Sequence, residues 1–411
     1  MRQIDNKKLP NKVISGFFFA IFRWYLGSTF SLSLEKNDTI RLIPPYLVIG
    51  NHANFWDGAL INLFIKDPIC FLVSDEYFRK PLLGWLLNIE GSIPKKKFLA
   101  DFTAIKEALK AKEAGRIIGI FPEGKRNWDG STEKVIFATA KLIKMLNVPV
   151  VRALLKGSYL TFPRWARYKR KGKISLSYDL VLTQDKIKEL SVEDIYREIA
   201  GSLSYREYDY QRRVMNIYQG KNLAEKLELF LFVCPHCQEI GSLHSGDDTL
   251  SCRNCSYQVK YDRYGFFSSE KQSLYFDNPA DWNQWQVNWT QDFLKKNFEK
   301  DNRNILLQDQ GVNLTRIEQE KRRHSEKGCQ LSLKNQELIL KTNSLGTLSF
   351  NFTQIKGVNI QYNDHFEFYY QNQLYQFYFD DPSISAYKWY KIIKLIQNMN
   401  FTKIKIDQEE T

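Results

Sequence analysis

The chain has 411 residues, 43% of them hydrophobic and 14% aromatic, and a formal net charge of +13. This composition is ample for packed cores in two or three domains and excludes a disordered chain. The charge is uneven: residues 1–230 carry 38 Lys and Arg against 24 Asp and Glu, whereas residues 231–411 carry 21 against 22. An anionic partner (nucleic acid, membrane surface or substrate) is therefore expected to meet the first half.

Residues 1–40 read as a helical region at a membrane interface. Asn11 to Leu34 holds the run Phe17-Phe18-Phe19, preceded by Lys7, Lys8 and Lys12. It is too short and interrupted to span a bilayer, which needs about 20 apolar residues, and it lacks a small-residue cleavage site. An interfacial helix fits best, with an ordinary core helix as the alternative. The expected location is the cytoplasmic face of the cell membrane, as a peripheral or monotopic protein.

Residues 41–220 alternate between strand and helix signals. Strands are expected at Tyr46–Ile49, Ile69–Val73, Arg116–Phe121, Val148–Leu155 and Ile174–Leu182, and helices at Pro81–Ile89, Ala100–Lys112, Glu133–Leu146 and Glu193–Met215. Such alternation predicts an α/β domain, a mixed sheet flanked by helices. His52 follows the first of these strands, where α/β proteins place chemistry. Asp57 stands five positions on, near enough to orient the imidazole if the chain turns into a helix. Taken alone, the pair reads as well as a structural contact. The densest basic stretch is Arg164 to Lys173, with Trp165 and Tyr168 interleaved. It suits an anionic membrane surface or a solvated loop; no nucleic acid is expected, because nothing else in this half supports it.

Residues 221–265 contain Cys234-Pro235-His236-Cys237 and Cys252-Arg253-Asn254-Cys255. Two such knuckles predict a closed four-thiolate site for a structural zinc ion. A disulfide pair or redox dithiol is the rival, and His236 and His244 are not expected as ligands. Residues 266–311 read as a helical linker with Trp282, Trp285, Trp289 and Phe293 on one stripe, a pattern of core packing or of an interaction surface. In residues 312–411, seven short strand signals are followed by a helix from Ser385 to Met399, predicting an antiparallel β barrel closed by a helix. The polar stretch Glu318 to Lys327 reads as a loop or a strand extension.

Four blocks in the first half together resemble the glycerolipid acyltransferase family. Asn51, His52 and Asp57 match its first block. Gly91-Ser92-Ile93-Pro94-Lys95-Lys96 resembles the second loosely. Phe121, Pro122, Glu123, Gly124 and Arg126 match the third, with Lys125 where the family has threonine, and Val148-Pro149-Val150 matches the fourth. The resemblance covers about residues 10–215. It implies transfer of an acyl group from acyl-CoA or an acyl-carrier protein to a lysolipid hydroxyl, lysophosphatidic acid being the favoured acceptor. His52 would be the general base, Asp57 its orienting partner, and Glu123 and Gly124 would line the acceptor site. Arg126, Lys95 and Lys96 would bind the acceptor phosphate. The cysteine segment resembles a zinc ribbon, and the C-terminal pattern a pleckstrin-homology-like domain.

Overall fold

In the computed structural model, which describes residues 12–95, 101–270, 272–299, 305–318, 322–334 and 337–409, the apolar run after Tyr46 is the middle strand of a seven-stranded sheet. Its strands are β1 (Ser31–Asn37), β2 (Leu47–Gly50), β3 (Ile69–Ser74), β4 (Ile93–Lys95), β5 (Ile117–Ile120), β6 (Val150–Lys156) and β7 (Lys173–Leu182), in the order β1-β7-β6-β2-β5-β3-β4. β6 and β7 pair antiparallel and every other pair is parallel, so the sheet is mixed. Alternate residues of β2 enter different cores. Leu47 and Ile49 pack with Ile118, Val150 and Leu146, while Val48 packs with Leu60, Val151 and Tyr178. Burial on both faces explains why β2 and β5 are continuous apolar runs.

The helices of this unit are α1 (Lys12–Thr29), α2 (Asp57–Asn62), α3 (Asp75–Phe78), α4 (Pro81–Glu90), α5 (Phe102–Glu113), α6 (Ala138–Leu146), α7 (Ser158–Thr161), α8 (Gln184–Glu189), α9 (Val192–Leu203) and α10 (Glu207–Val214). Their ends follow local chemistry. Asp101, Thr183 and Ser191 cap α5, α8 and α9 through their side-chain oxygens. Leu26 and Phe30, at and just after the end of α1, are buried in the core, whereas Trp24 is 74% exposed.

Three expectations are corrected. Residues 31–37 are an edge strand of the α/β sheet, so the helical region does not extend to residue 40. α6 starts at Ala138 because the amides of Glu133 and Ile136 are held by Glu123 Oε2 and the Pro122 carbonyl, outside any helix. The long helix over 193–215 is two helices. Thr132 hydrogen-bonds the carbonyls of Leu203 and Tyr205, which competes with continuation of α9.

The chain divides into two compact units, one of Met1–Arg164, Tyr168–Gly220 and Arg263–Gly265, the other of Trp165–Arg167, Lys221–Asp262 and Phe266–Thr411. The second unit holds a small antiparallel sheet, β8 (Leu243–Gly246), β9 (Thr249–Cys252), β10 (Gln258–Tyr261) and β11 (Phe267–Ser268), followed by α11 (Pro279–Glu299). Then come β12 (Ile305–Glu318), β13 (Arg322–Lys334), β14 (Glu337–Lys341), β15 (Thr347–Asn351), β16 (Lys356–Gln361), β17 (His365–Tyr370), β18 (Gln373–Phe379) and α12 (Ala386–Glu409). These seven strands form one antiparallel sheet in the order β15-β14-β13-β12-β18-β17-β16. Among the described residues β15 and β16 are not paired, so the expected barrel is a curled half-barrel with two free edges. Strand β12 begins at Ile305, which places the end of the expected linker inside the sheet. From Arg322 onward the polar stretch pairs with β12, with Ile317 opposite Arg323 and Leu314 opposite Glu326; residues 319–321 lie outside the described residues. On α11, Trp282 is buried, but Asn283, Gln286 and Thr290 share the buried face; Gln286 bonds the Phe232 amide and the Phe230 carbonyl. Trp285, Trp289 and Phe293 form a half-buried aromatic ladder.

Candidate active site

The carboxyl ends of the parallel strands carry the chemistry. His52 lies two residues beyond β2, Phe121 directly after β5, and Ser158 two residues beyond β6. His52 Nδ1 is 3.0 Å from Asp57 Oδ2. A carboxylate only accepts, so Nδ1 carries the proton and Nε2 is the basic nitrogen. Asp57 opens α2 and is fully buried. Its Oδ2 also accepts the amides of Ala53 and Asn54, each at 2.7 Å, and its Oδ1 accepts the Ser158 hydroxyl at 2.7 Å. The Phe121 ring stacks on the imidazole, 4.1 Å between centroids. Burial lowers the His52 pKa, Asp57 opposes that shift, and Arg126 and Arg164 add to it. The ring is neutral at neutral pH, with its side chain 20% exposed.

Glu123 does not present its carboxylate at a surface. It is 3% exposed, with Oε1 accepting the His52 amide at 2.6 Å and Oε2 the Glu133 amide at 2.7 Å. Burial pushes its pKa up to about 8. Its observed contacts clamp the histidine turn to the loop after β5. Gly124 is exposed at φ +69°, where an added Cβ would meet Ile136 Cδ1 at 2.6 Å. Lys125 pairs with Glu133 at 3.4 Å. Arg126 is half-buried, and burial works against its charge while Asp57 favours it. Among the described residues its guanidinium has no hydrogen bond or ion pair. Lys95 ends β4, half-buried, with burial lowering its pKa; Lys96 lies outside the described residues.

Several further residues build the site through contacts that local sequence does not show. Asn51 pairs both ways with the backbone of Leu155, at 3.0 and 2.9 Å, and Asn54 donates to the Ser158 carbonyl and the Thr161 hydroxyl. Arg164 lies over the Trp128 ring and donates to the Arg126 carbonyl. In the basic stretch, Arg164, Trp165 and Arg170 are buried, leaving Arg167, Lys169, Lys171 and Lys173 exposed. The spacing that brings Ser158 to Asp57 is 101 residues, beyond any local pattern.

The family model described as Acyltransferase matches residues 32–155, the span that holds His52, Asp57 and the loop after β5. The chain carries an acyltransferase domain over these residues. It is 31% identical over 88 residues to the 1-acyl-sn-glycerol-3-phosphate acyltransferase of Borreliella burgdorferi. That match covers 21% of this chain and 35% of the relative, so the chain spans about a third of the length of the curated relative it matches. It is also similar to the crystal structure of the 1-acyl-sn-glycerophosphate (LPA) acyltransferase PlsC from Thermotoga maritima. That likeness has 23% identity and a TM-score of 0.41, over 49% of this chain and 79% of the other.

Within the second unit, the Sγ atoms of Cys234, Cys237, Cys252 and Cys255 lie within 4.8 Å of one another. Cys234 and Cys255 are 3.7 Å apart, as are Cys237 and Cys252. A tetrahedral zinc site with Zn–S bonds of about 2.3 Å has sulfur–sulfur edges of about 3.8 Å, so the donor set fits this ion. The two knuckles repeat each other. The amides of His236 and Cys237 face the Cys234 sulfur, and those of Asn254 and Cys255 face Cys252. Gln238 and Ser256, next after each second cysteine, both have positive φ, at 60° and 59°. Disulfide distances, near 2.05 Å, are not found here. His236 contacts Tyr275 and His244 contacts Ser251, away from a ligand role.

Proposed function

We propose that the protein transfers a fatty acyl group from acyl-CoA or an acyl-carrier protein to the free hydroxyl of 1-acyl-sn-glycerol-3-phosphate, forming phosphatidic acid. The observation that carries the reading is the His52–Asp57 pair, with Nδ1 engaged and Nε2 basic. In this mechanism Nε2 takes the proton of the acceptor hydroxyl as its oxygen attacks the thioester carbonyl. The carbon–sulfur bond then breaks, and the departing thiolate takes the proton from the imidazolium. Asp57 holds the ring and stabilises its charged form. Arg126, a half-buried guanidinium with no partner among the described residues, grips the acceptor phosphate through its planar fork. Lys125 is paired with Glu133 and leaves that task to Arg126.

The same reading puts the rim of the site against an anionic bilayer. Phe55, Leu82, Trp85, Phe102 and Ile136 are exposed on segments that follow the carboxyl ends of β2, β3, β4 and β5. Among the described residues no helix is long and apolar enough to cross a membrane, so contact with lipid is interfacial in this reading. The four cysteines hold a structural zinc ion, and the half-barrel with its C-terminal helix is a pleckstrin-homology-like packing or binding module.

The test is a mass-spectrometric screen of purified protein with acyl-CoA or acyl-carrier-protein donors and a panel of lysolipids. Phosphatidic acid is the expected product, and His52→Ala should lower its rate about 10²–10⁴-fold. Acylation of a different lysolipid only would reassign the acceptor; no acylation at all, or undiminished turnover by His52→Ala, would overturn the reading.

A further inference from the structure

Asp57 is surrounded by four donors, and they are unevenly distributed. His52 Nδ1 and the amides of Ala53 and Asn54 all bond Oδ2, and all three come from the turn that precedes α2. Among the described residues, Oδ1 has one donor, the hydroxyl of Ser158, at 2.7 Å. Three bonds converging on one oxygen leave the carboxylate free to swing about that atom, and a bond to the second oxygen removes the freedom. Ser158 has a relative exposure of 0% and lies just beyond the span matched by the family model, which ends at residue 155. We infer that Ser158 is a positioning residue: its hydroxyl fixes the plane of the Asp57 carboxylate and so aims Oδ2 at His52 Nδ1.

The surroundings of Ser158 are built to hold it there. Gly157 has φ +82°, and an added Cβ would lie 2.3 Å from the Lys173 carbonyl oxygen. The Gly157 amide donates to the buried Glu207 carboxyl at 2.8 Å, which Tyr205 also bonds. On the other side, Asn54 and Thr161 both donate to the Ser158 carbonyl. Backbone and hydroxyl are thus held from three segments, and the hydroxyl's bond goes to the group that orients the imidazole.

The kinetic consequence rests on the acyl-transfer reading; the effect on His52 titration does not. Ser158→Ala should lower kcat about 10–100-fold, the size of effect that outer hydrogen-bond partners have on the ligands they orient in metal sites. KM for donor and acceptor should stay within about twofold, because Ser158 touches neither. The His52 titration midpoint, followed by NMR with histidine-selective labelling, should fall. A carboxylate no longer aimed at Nδ1 gives up part of the hydrogen bond and charge interaction that raise the His52 pKa. The other groups facing the pair are Arg126 and Arg164, which act on His52, and the buried carboxyls Glu123 and Glu207, which feel Asp57; the variant leaves all four in place. Ser158→Cys keeps nearly the same volume with a weaker donor, should give intermediate values, and replaces the alanine variant if that one does not fold. A folded variant with an unmoved midpoint, whatever its rate, would overturn the inference. Absence of turnover by the wild type would refute the acyl-transfer reading while the midpoint still decides the role of Ser158.

Discussion

His52 and Arg126 are coupled by charge, and that coupling can be read in a pH profile. The active imidazole is the neutral one. Burial holds its pKa below the ordinary imidazole value, with the Arg126 and Arg164 guanidiniums pushing in the same direction. Activity should therefore fall on the acid side, as pH drops through a value below that ordinary one. Arg126→Ala removes one of the two cations, so the acid limb of kcat/KM should move to higher pH. The acceptor KM should rise while the donor KM stays level, because a monoanionic or dianionic phosphate loses its bidentate partner. Initial rates against each substrate in turn, over a pH series, check both parts. An acceptor KM equal to wild type would take Arg126 out of the acceptor site.

At the scale of elements, the active site depends on turns more than on strands. The turn between β2 and α2 is tied to β6 by Asn51, to α7 by Asn54 and Asp57, and to the loop after β5 by Glu123. Gly157 sits where these constraints meet. Its left-handed φ costs any other L-residue about 1–2 kcal/mol, and the Lys173 carbonyl blocks a Cβ besides. Gly157→Ala should destabilise the protein by at least about 2 kcal/mol, measured by urea or thermal unfolding. Because relief requires the turn to shift, Ser158 should lose its bond to Asp57 and activity should fall with stability. Retained stability would mean that the turn is more compliant than its geometry indicates. Gly124 has the same left-handed conformation but meets only the flexible end of Ile136, so its replacement should be milder.

For the whole molecule, each unit has its own core, and the proposed zinc site lies in the unit that does not contain His52. If the four thiolates hold zinc, its binding energy contributes to folding of the surrounding segment. Elemental analysis of protein purified under reducing conditions should give about one zinc per chain, the stoichiometry of a four-thiolate site. Cys234→Ser or chelation should lower the stability of the segment around β8–β11, seen as faster amide exchange there, while acyl transfer persists at least in part. Absence of bound metal would remove the proposed ion. Complete loss of transfer with the α/β unit still folded would make the cysteine segment part of the catalytic apparatus.

How much of this was legible in the sequence follows from the range of each interaction. The α/β alternation, the cysteine knuckles and the His52–Asp57 pair are local patterns. An apolar run of four residues, a spacing of two between cysteines and a spacing of five between acid and base all lie within a turn or two of chain, so they are visible without a fold. The family resemblance rested on the same short blocks. Edge strand β1 escaped notice although Ser31-Leu32-Ser33-Leu34 alternates polar and apolar residues, because it follows directly on the apolar helix α1 and is defined by its pairing with β7. The break between α9 and α10 was hidden because Thr132, far away in sequence, bonds the carbonyls at that point. The resemblance implied that Glu123 lines the acceptor site, but a glutamate beside a glycine in a loop says nothing about where its carboxylate points. Tertiary packing alone decided that this carboxylate turns inward to the His52 amide, that Arg126 is half-buried with no hydrogen bond among the described residues, and that a serine 101 residues away closes the shell around Asp57. Sequence alone determined which reactive groups stand near one another along the chain. The tertiary structure decided which of them are aimed, because aiming a carboxylate requires donors on both of its oxygens and only the folded sheet edge brings the second donor into place.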